Sequence, residues 1–152
     1  SVSSGTPVSR FSEITAICEY LEEQAGASAL IGTTAEERAE TRMWVRRIDL
    51  GILENLANGF RYAEGMAIFK DRIRTIPHAA DDLKALAAEK IAWLDKLMED
   101  NEYVCGDRYS LADILLFCFL EFGNQIGQPI DQGNKNIVAW FDRVKSRASA
   151  GV

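Results

Sequence analysis

Ser110 and Asp113 stand three residues apart at the head of an unbroken apolar run, Ile114-Leu115-Leu116-Phe117-Cys118-Phe119-Leu120. That spacing suits reciprocal capping. The Ser110 hydroxyl accepts from the Asp113 backbone N–H, and the Asp113 carboxylate reaches back to the Ser110 N–H. Tyr109 before the cap and Ile114 after it are placed for a hydrophobic staple. A helix apolar on all sides belongs in the middle of a protein, and this run is far too short to cross a bilayer. The pair therefore predicts a buried, capped helix over 111–122, with the rest of the chain packed around it. Removing the Asp113 cap should cost on the order of 1 kcal/mol, and more if the carboxylate is buried.

The remaining apolar spacing is helical throughout, with no convincing strand alternation. Ile14, Ile17, Cys18 and Leu21 form one stripe of a helix that starts at Ser12 and ends near Gly26. Thr34 with Glu37, or Thr33 with Glu36, caps a long helix reaching about residue 65, with Gly51 and Gly59 as weak points. It carries two apolar arcs. Val45, Ile48, Ile52 and Leu56 form one, beside Trp44; Met43, Leu50, Leu53, Ala57 and Phe60 form the other. One arc faces the core, and the second needs another helix, a ligand or a second subunit.

A short basic segment, Phe69–Thr75, ends at Pro77 and leads into a helix over 79–99. A last helix runs from about Lys135 to Arg147, with Asp131 or Asn134 as its cap. The fold class that follows is all-α, an antiparallel bundle of five to six helices around a buried central capped helix.

The 152 residues fit one compact body of ordinary apolar content, 47%. A net charge of −6 disfavours nucleic acid and anionic membranes as partners. Residues 1–11 lack the apolar core of a signal peptide, and the expected setting is cytoplasmic and reducing. Of the cysteines, Cys18 and Cys118 read as core residues, and Cys105 as the reachable one. A single histidine, His78, and no clustered ligand spacing leave no metal site and no resident cofactor. The acid pairs Glu36/Glu37 and Asp81/Asp82 sit near helix starts, where they complement the helix dipole.

Three segments, in order, resemble the soluble glutathione transferases. Gly106-x-x-x-Ser-Leu-Ala-Asp-Ile114 is similar to the capping signature of the family's all-helical C-terminal domain. Ser12–Glu23 resembles the last helix of its thioredoxin-like N-terminal domain. Asn136–Ser149 resembles a late helix in which a Trp and an Arg precede small residues. The resemblance implies residues 1–26 as the end of the thioredoxin-like domain and 27–152 as the helical domain.

It also implies a function: attack of a glutathione thiolate on a hydrophobic electrophile in the intact protein, with glutathione as co-substrate. The thiol-activating residue and the cis-proline of the family lie ahead of this chain, because Pro7 is too close to Ser12 to be that proline. The chain alone is therefore expected to be inactive. Glu13 matches the acidic position that holds the γ-glutamyl end of glutathione. Ile14 stands where the family has Ser, and Ser12 is the nearby hydroxyl. The electrophile pocket points to the 34–65 helix, with Trp44, Arg47, Asn55 and Phe60 as substrate-binding candidates. A homodimer through the 34–65 and 79–99 helices is the implied assembly. The alternative is a non-catalytic transferase-like module that serves assembly with other proteins.

Overall fold

The computed structural model describes residues 12–26 and 29–149. Residues 1–11, which the resemblance assigns to the end of a strand, lie outside the described residues.

The central helix is α6, Leu111–Gln125, and its reciprocal capping box is present. Leu115, Leu116 and Leu120 are buried, whereas Cys118 and Glu121 are exposed. The apolar run is thus buried on most of its circumference rather than all of it. Around α6 stand α2 (Ala35–Ile48), α3 (Glu54–Arg61), α5 (Ala80–Leu97) and α7 (Lys135–Ser149). The core joins Ile48, Ile52 and Leu53 to Ile91, Leu94 and Met98 of the fifth helix and its end, and to Ile137, Trp140 and Val144 of α7. A short α4, Met66–Phe69, and a 3₁₀ turn, Pro77–Ala79, make the passage to α5. Among the described residues there is no named strand; Tyr103 with Gly106 and Cys105 with Arg108 form isolated bridges in a tight turn.

The long helix expected over 34–65 is interrupted. Between α2 and α3, Asp49–Leu53 forms a π turn around Gly51. A π turn inserts one extra residue and rotates everything beyond it. That rotation divides the second apolar arc. Leu53 and Ala57 turn into the chain's own core, at 3% and 7% exposure, while Met43 and Leu50 stay outside at 40% and 51%. The close passage of α5 falls instead at Gly59, where a Cβ would stand 2.7 Å from Lys84 Cγ and 3.4 Å from the Ala80 carbonyl oxygen.

Helix ends explain several local differences from the sequence expectations. At α2, Thr34 Oγ1 accepts from the Glu37 N–H at 3.1 Å, but the Glu37 carboxylate bonds the Thr33 N–H at 2.7 Å and its hydroxyl at 2.9 Å. The cap therefore uses both threonines. These bonds hold the Glu37 carboxyl below its ordinary range. At α7, Asn134 stands at the N-cap position, its carbonyl accepting from the Val138 N–H at 3.0 Å, but neither its side chain nor that of Asp131 caps the helix N–H groups. Asp95 of α5 does, accepting from the Ile137 N–H at 2.8 Å, while Asp131 closes its own turn on the Gly133 N–H. A tertiary neighbour supplies the side-chain acceptor in place of the local candidates.

The cysteines also fall differently. Cys105 is buried, 3.5 Å from the Ser110 hydroxyl, and burial pushes its thiol up. Cys118 is exposed and Cys18 half-buried. The turn that brings Cys105 against the cap reverses its expected accessibility.

Candidate functional site

α1, Ile14–Ala25, lies outside the main core. None of its residues is buried, and Ile14, Ile17, Tyr20 and Leu21 are exposed. It is tethered by an exposed ion pair from Arg42 to Glu19 at 3.1 Å and by the Leu30 N–H donating to Glu22 at 3.2 Å. Its N-cap is Glu13 rather than Ser12, in an extended conformation with no side-chain capping bond. The first helical bond runs from the Ile17 N–H to the Glu13 carbonyl. The opening N–H groups of α1 thus have no side-chain acceptor among the described residues, and no acid sits in its first turn.

This helix start borders a cleft of about 200 Å³ lined by Glu13, Ile14, Thr15, Asp49, Leu53, Glu54, Arg61, Leu115 and Phe119. The cleft combines apolar walls from the long helix and α6 with one guanidinium, three carboxylates and the N-terminal dipole of α1. Arg61 lies over the Phe69 ring at 5.5 Å and donates to Asn58 Oδ1 at 3.0 Å. Sequence spacing alone does not reveal Arg61, Leu115 or Phe119 as neighbours of Glu13. They come from different elements, and the π turn sets which face of the long helix meets α1.

A second, larger cleft of about 430 Å³ lies between the π turn and α5, lined by Arg47, Leu50, Gly51, Asn55, Lys90 and Trp93. Trp44 and Trp93 stand beside one another with ring centroids 6.1 Å apart. Of the four substrate-binding candidates, Arg47 and Asn55 therefore share a cleft, with Trp44 against its Trp93 wall. Phe60 is elsewhere, packed edge-on between Phe69 and Phe122. Asn55 directs its amide to the Gly51 carbonyl at 2.8 Å, bracing the π turn.

The structural cap residues occupy the most constrained point in the molecule. The Asp113 carboxylate accepts from the Val104 N–H at 2.9 Å, the Ser110 N–H at 2.9 Å, the Ser110 hydroxyl at 3.4 Å and the Trp140 indole N–H at 2.8 Å. Both Ser110 and Asp113 are fully buried. Burial raises the Asp113 carboxyl above its ordinary value, and those hydrogen bonds oppose the shift. One side chain therefore ties the 103–106 turn, the start of α6 and the middle of α7 together.

No cluster of His, Cys, Asp or Glu suited to a metal occurs among the described residues. No described helix is long and apolar enough to cross a membrane.

A capped central helix, a bundle closed on its capping carboxylate, and a loosely attached leading helix define an all-helical transferase-type domain. The family model "Glutathione S-transferase, C-terminal domain" matches residues 66–148, and the chain belongs to that family. Glutathione S-transferase 2 of Saccharomyces cerevisiae is 25% identical over 137 residues, covering 90% of this chain and 59% of that protein. FtsZ-localized protein A of Caulobacter vibrioides is 28% identical over 141 residues, covering 89% of this chain and 59% of its own. A glutathione S-transferase domain-containing protein from Marinobacter aquaeolei has a solved structure that superposes with a TM-score of 0.83. It is 27% identical, over 90% of this chain and 67% of that one. The chain thus spans 59% of the length of each of these curated relatives.

Proposed function

We propose that the chain is the helical half of a cytoplasmic glutathione transferase, with residues 1–26 belonging to a thioredoxin-like domain and 27–152 to the substrate-binding and dimerisation domain. The observation that carries this reading is the open start of α1. The γ-glutamyl end of glutathione bears both a carboxylate and an ammonium group. Free N–H groups at a helix N-terminus attract the first, and the Glu13 carboxylate attracts the second. Ser12 and Ile14 flank that contact; Ile14 offers only its backbone. A nucleophile and an electrophile must approach within about 3–3.5 Å to react. The electrophile therefore belongs in the cleft that Glu13 itself borders, against Leu53, Leu115 and Phe119. The exposed apolar stripe of α1 is the natural seat of the rest of the thioredoxin-like domain.

On this reading the thiol-activating residue lies in the rest of that domain, so the chain alone binds glutathione weakly and conjugates little. An aryl-halide conjugation assay on the chain and on the intact protein tests this. Turnover is expected only from the intact protein. Strong turnover by the chain alone overturns the reading, and an intact protein without turnover assigns it to the assembly modules instead.

Self-association uses the face shared by the long helix and α5, where Met43, Leu50, Leu86, Trp93 and Leu97 are exposed. Leu53 is not part of it, being buried in its own protomer. Leu97→Glu should therefore shift sedimentation toward monomer with the fold intact, whereas Leu53→Glu should unfold the chain.

A further inference from the structure

The stretch that follows the long helix, residues 66–75, reverses the sign of the chain. It carries Lys70, Arg72 and Arg74 against one acid, Asp71, in a protein of net charge −6. All three cations are exposed, and none forms an ion pair among the described residues. Elsewhere Arg42, Lys84 and Arg108 each stand beside a glutamate. The same stretch exposes two large apolar side chains, Ile68 at 59% and Ile73 at 39%. The backbone places them beside the cations. Beyond Phe69 the chain continues in helical turns, the Lys70 N–H donating to the Met66 carbonyl and the Ile73 N–H to that of Phe69. Residues three and four apart in such turns are neighbours, so Ile68 adjoins Arg72 and Ile73 adjoins Lys70.

The backbone beneath this face is held in place. Phe69 packs edge-on against Phe60 with ring centroids 6.5 Å apart, and the Arg61 guanidinium lies over the Phe69 ring at 5.5 Å. Gly65 sits so close to Phe60 that a Cβ there would stand 2.6 Å from its ring. Two isoleucines exposed on an anchored backbone have no inward position to take, and cations without partners keep their full charge.

We infer that this face docks a partner protein through an acidic segment with apolar side chains set among its carboxylates. Charge complementarity selects and orients such a segment, and covering Ile68 and Ile73 supplies the hydrophobic part of the affinity. The apolar stripe of α1 does not suit the same partner, because Glu13, Glu19, Glu22 and Glu23 accompany it. An anionic membrane suits the face less well. The chain as a whole is repelled by one, and three cations fall short of the roughly 4–8 that mark a lipid-binding cluster. The inference is independent of the glutathione reading, since none of these side chains lines the Glu13 cleft.

The test is fluorescence anisotropy of a fluorescein-labelled peptide of alternating glutamate and leucine, titrated with the full chain and with the intact protein. Saturable binding to both is expected, weakened by added salt. The charge-reversing variant R72E/R74E and the polar variant I68S/I73S should each bind about tenfold more weakly or worse. Both replace exposed residues, so circular dichroism should stay unchanged. Undiminished binding by R72E/R74E, or equal binding of a peptide with glutamine in place of glutamate, overturns the inference. Undiminished binding by I68S/I73S does so too, because the contact is then one with any polyanion. Binding by the chain that the intact protein lacks assigns the face to the rest of the thioredoxin-like domain. Sedimentation with phosphatidylserine vesicles that R72E/R74E abolishes, without peptide binding, assigns it to a membrane. Either result overturns the inference and leaves glutathione conjugation by the intact protein as a separate question.

Discussion

The starts of α6 and α1 are opposite solutions to one problem, the unpaired N–H groups that open every helix. At α6 the solution is internal. Ser110 and Asp113 are buried, and the Asp113 carboxylate is bonded on both oxygens by the turn, the cap and Trp140. At α1 no side chain closes the end, Glu13 is exposed, and the helix buries none of its residues. The first arrangement spends polar groups on holding the fold together. The second leaves them available to something outside it. Stability should therefore concentrate at one helix start and ligand recognition at the other, and substitutions at the two ends should separate these properties.

The largest effect is expected at Asp113. Asp113→Ala leaves the Val104 N–H, the Ser110 N–H and the Trp140 indole N–H buried without their acceptor. The loss should be on the order of 3–4 kcal/mol in urea unfolding, well above that of a surface cap. A loss below about 1 kcal/mol would reduce the hub to an ordinary helix cap.

The same residue has a pH signature. Its folded carboxyl titrates above the ordinary value of 3.8. Through the window from that value up to the raised one, the folded chain holds a proton that the unfolded chain has released. Stability from this group is therefore present at the acid side and falls as pH rises through the window. Asp113→Asn should flatten that slope, as chemical denaturation across the acid range will read. An unchanged slope would mean that the hydrogen bonds cancel desolvation, and a slope of opposite sign that they outweigh it.

Trp140→Phe keeps the core volume but removes the indole donor to Asp113, and about 1–2 kcal/mol should be lost. The loss should shrink when Asp113 is already Asn, since the two substitutions act on one bond. Full additivity would show that α7 is held by packing alone. Asp95→Ala should cost about 1 kcal/mol by removing the cap that α5 lends to α7. Asn134→Ala should cost less, reversing the order that the local sequence suggests.

That reversal marks the limit of what the sequence discloses. The capping box at Ser110 is legible because its donor and acceptors lie within three residues of one another. Residues of α5 such as Leu94 and Ile91 are legible from their spacing alone. The Asp95 cap is not, because 42 residues separate it from Ile137. The π turn is hidden for a different reason. Gly51 reads as a weak point in a helix, and nothing in the apolar spacing distinguishes a weakened turn from one with an extra residue. Missing that residue misplaces Leu53 and Ala57, which a regular helix would turn outward. For the same reason the resemblance groups Trp44, Arg47 and Asn55 with Phe60, which packs elsewhere against Phe69 and Phe122, and Lys90 and Trp93, the other half of the cleft, are not found from sequence at all. Glu13 is legible as a candidate only through the family resemblance, while the Arg61, Leu115 and Phe119 around it are assembled by tertiary contact.

The smallest effect on stability is expected at Glu13, and it sharpens the contrast most. Its side chain makes no capping bond, so Glu13→Gln should change unfolding by less than about 0.5 kcal/mol. On the proposed reading the same change removes the carboxylate assigned to the glutathione ammonium, and the intact protein's glutathione affinity should fall about tenfold, the cost of one charge-assisted contact. Calorimetric titration with glutathione beside a urea curve reads both quantities on one preparation. Weakened binding with unchanged stability is the signature of a helix start left open for a ligand. A stability loss comparable to that of Asp95→Ala, with affinity unchanged, would make Glu13 an ordinary first-turn acid and erase the difference between the two helix starts.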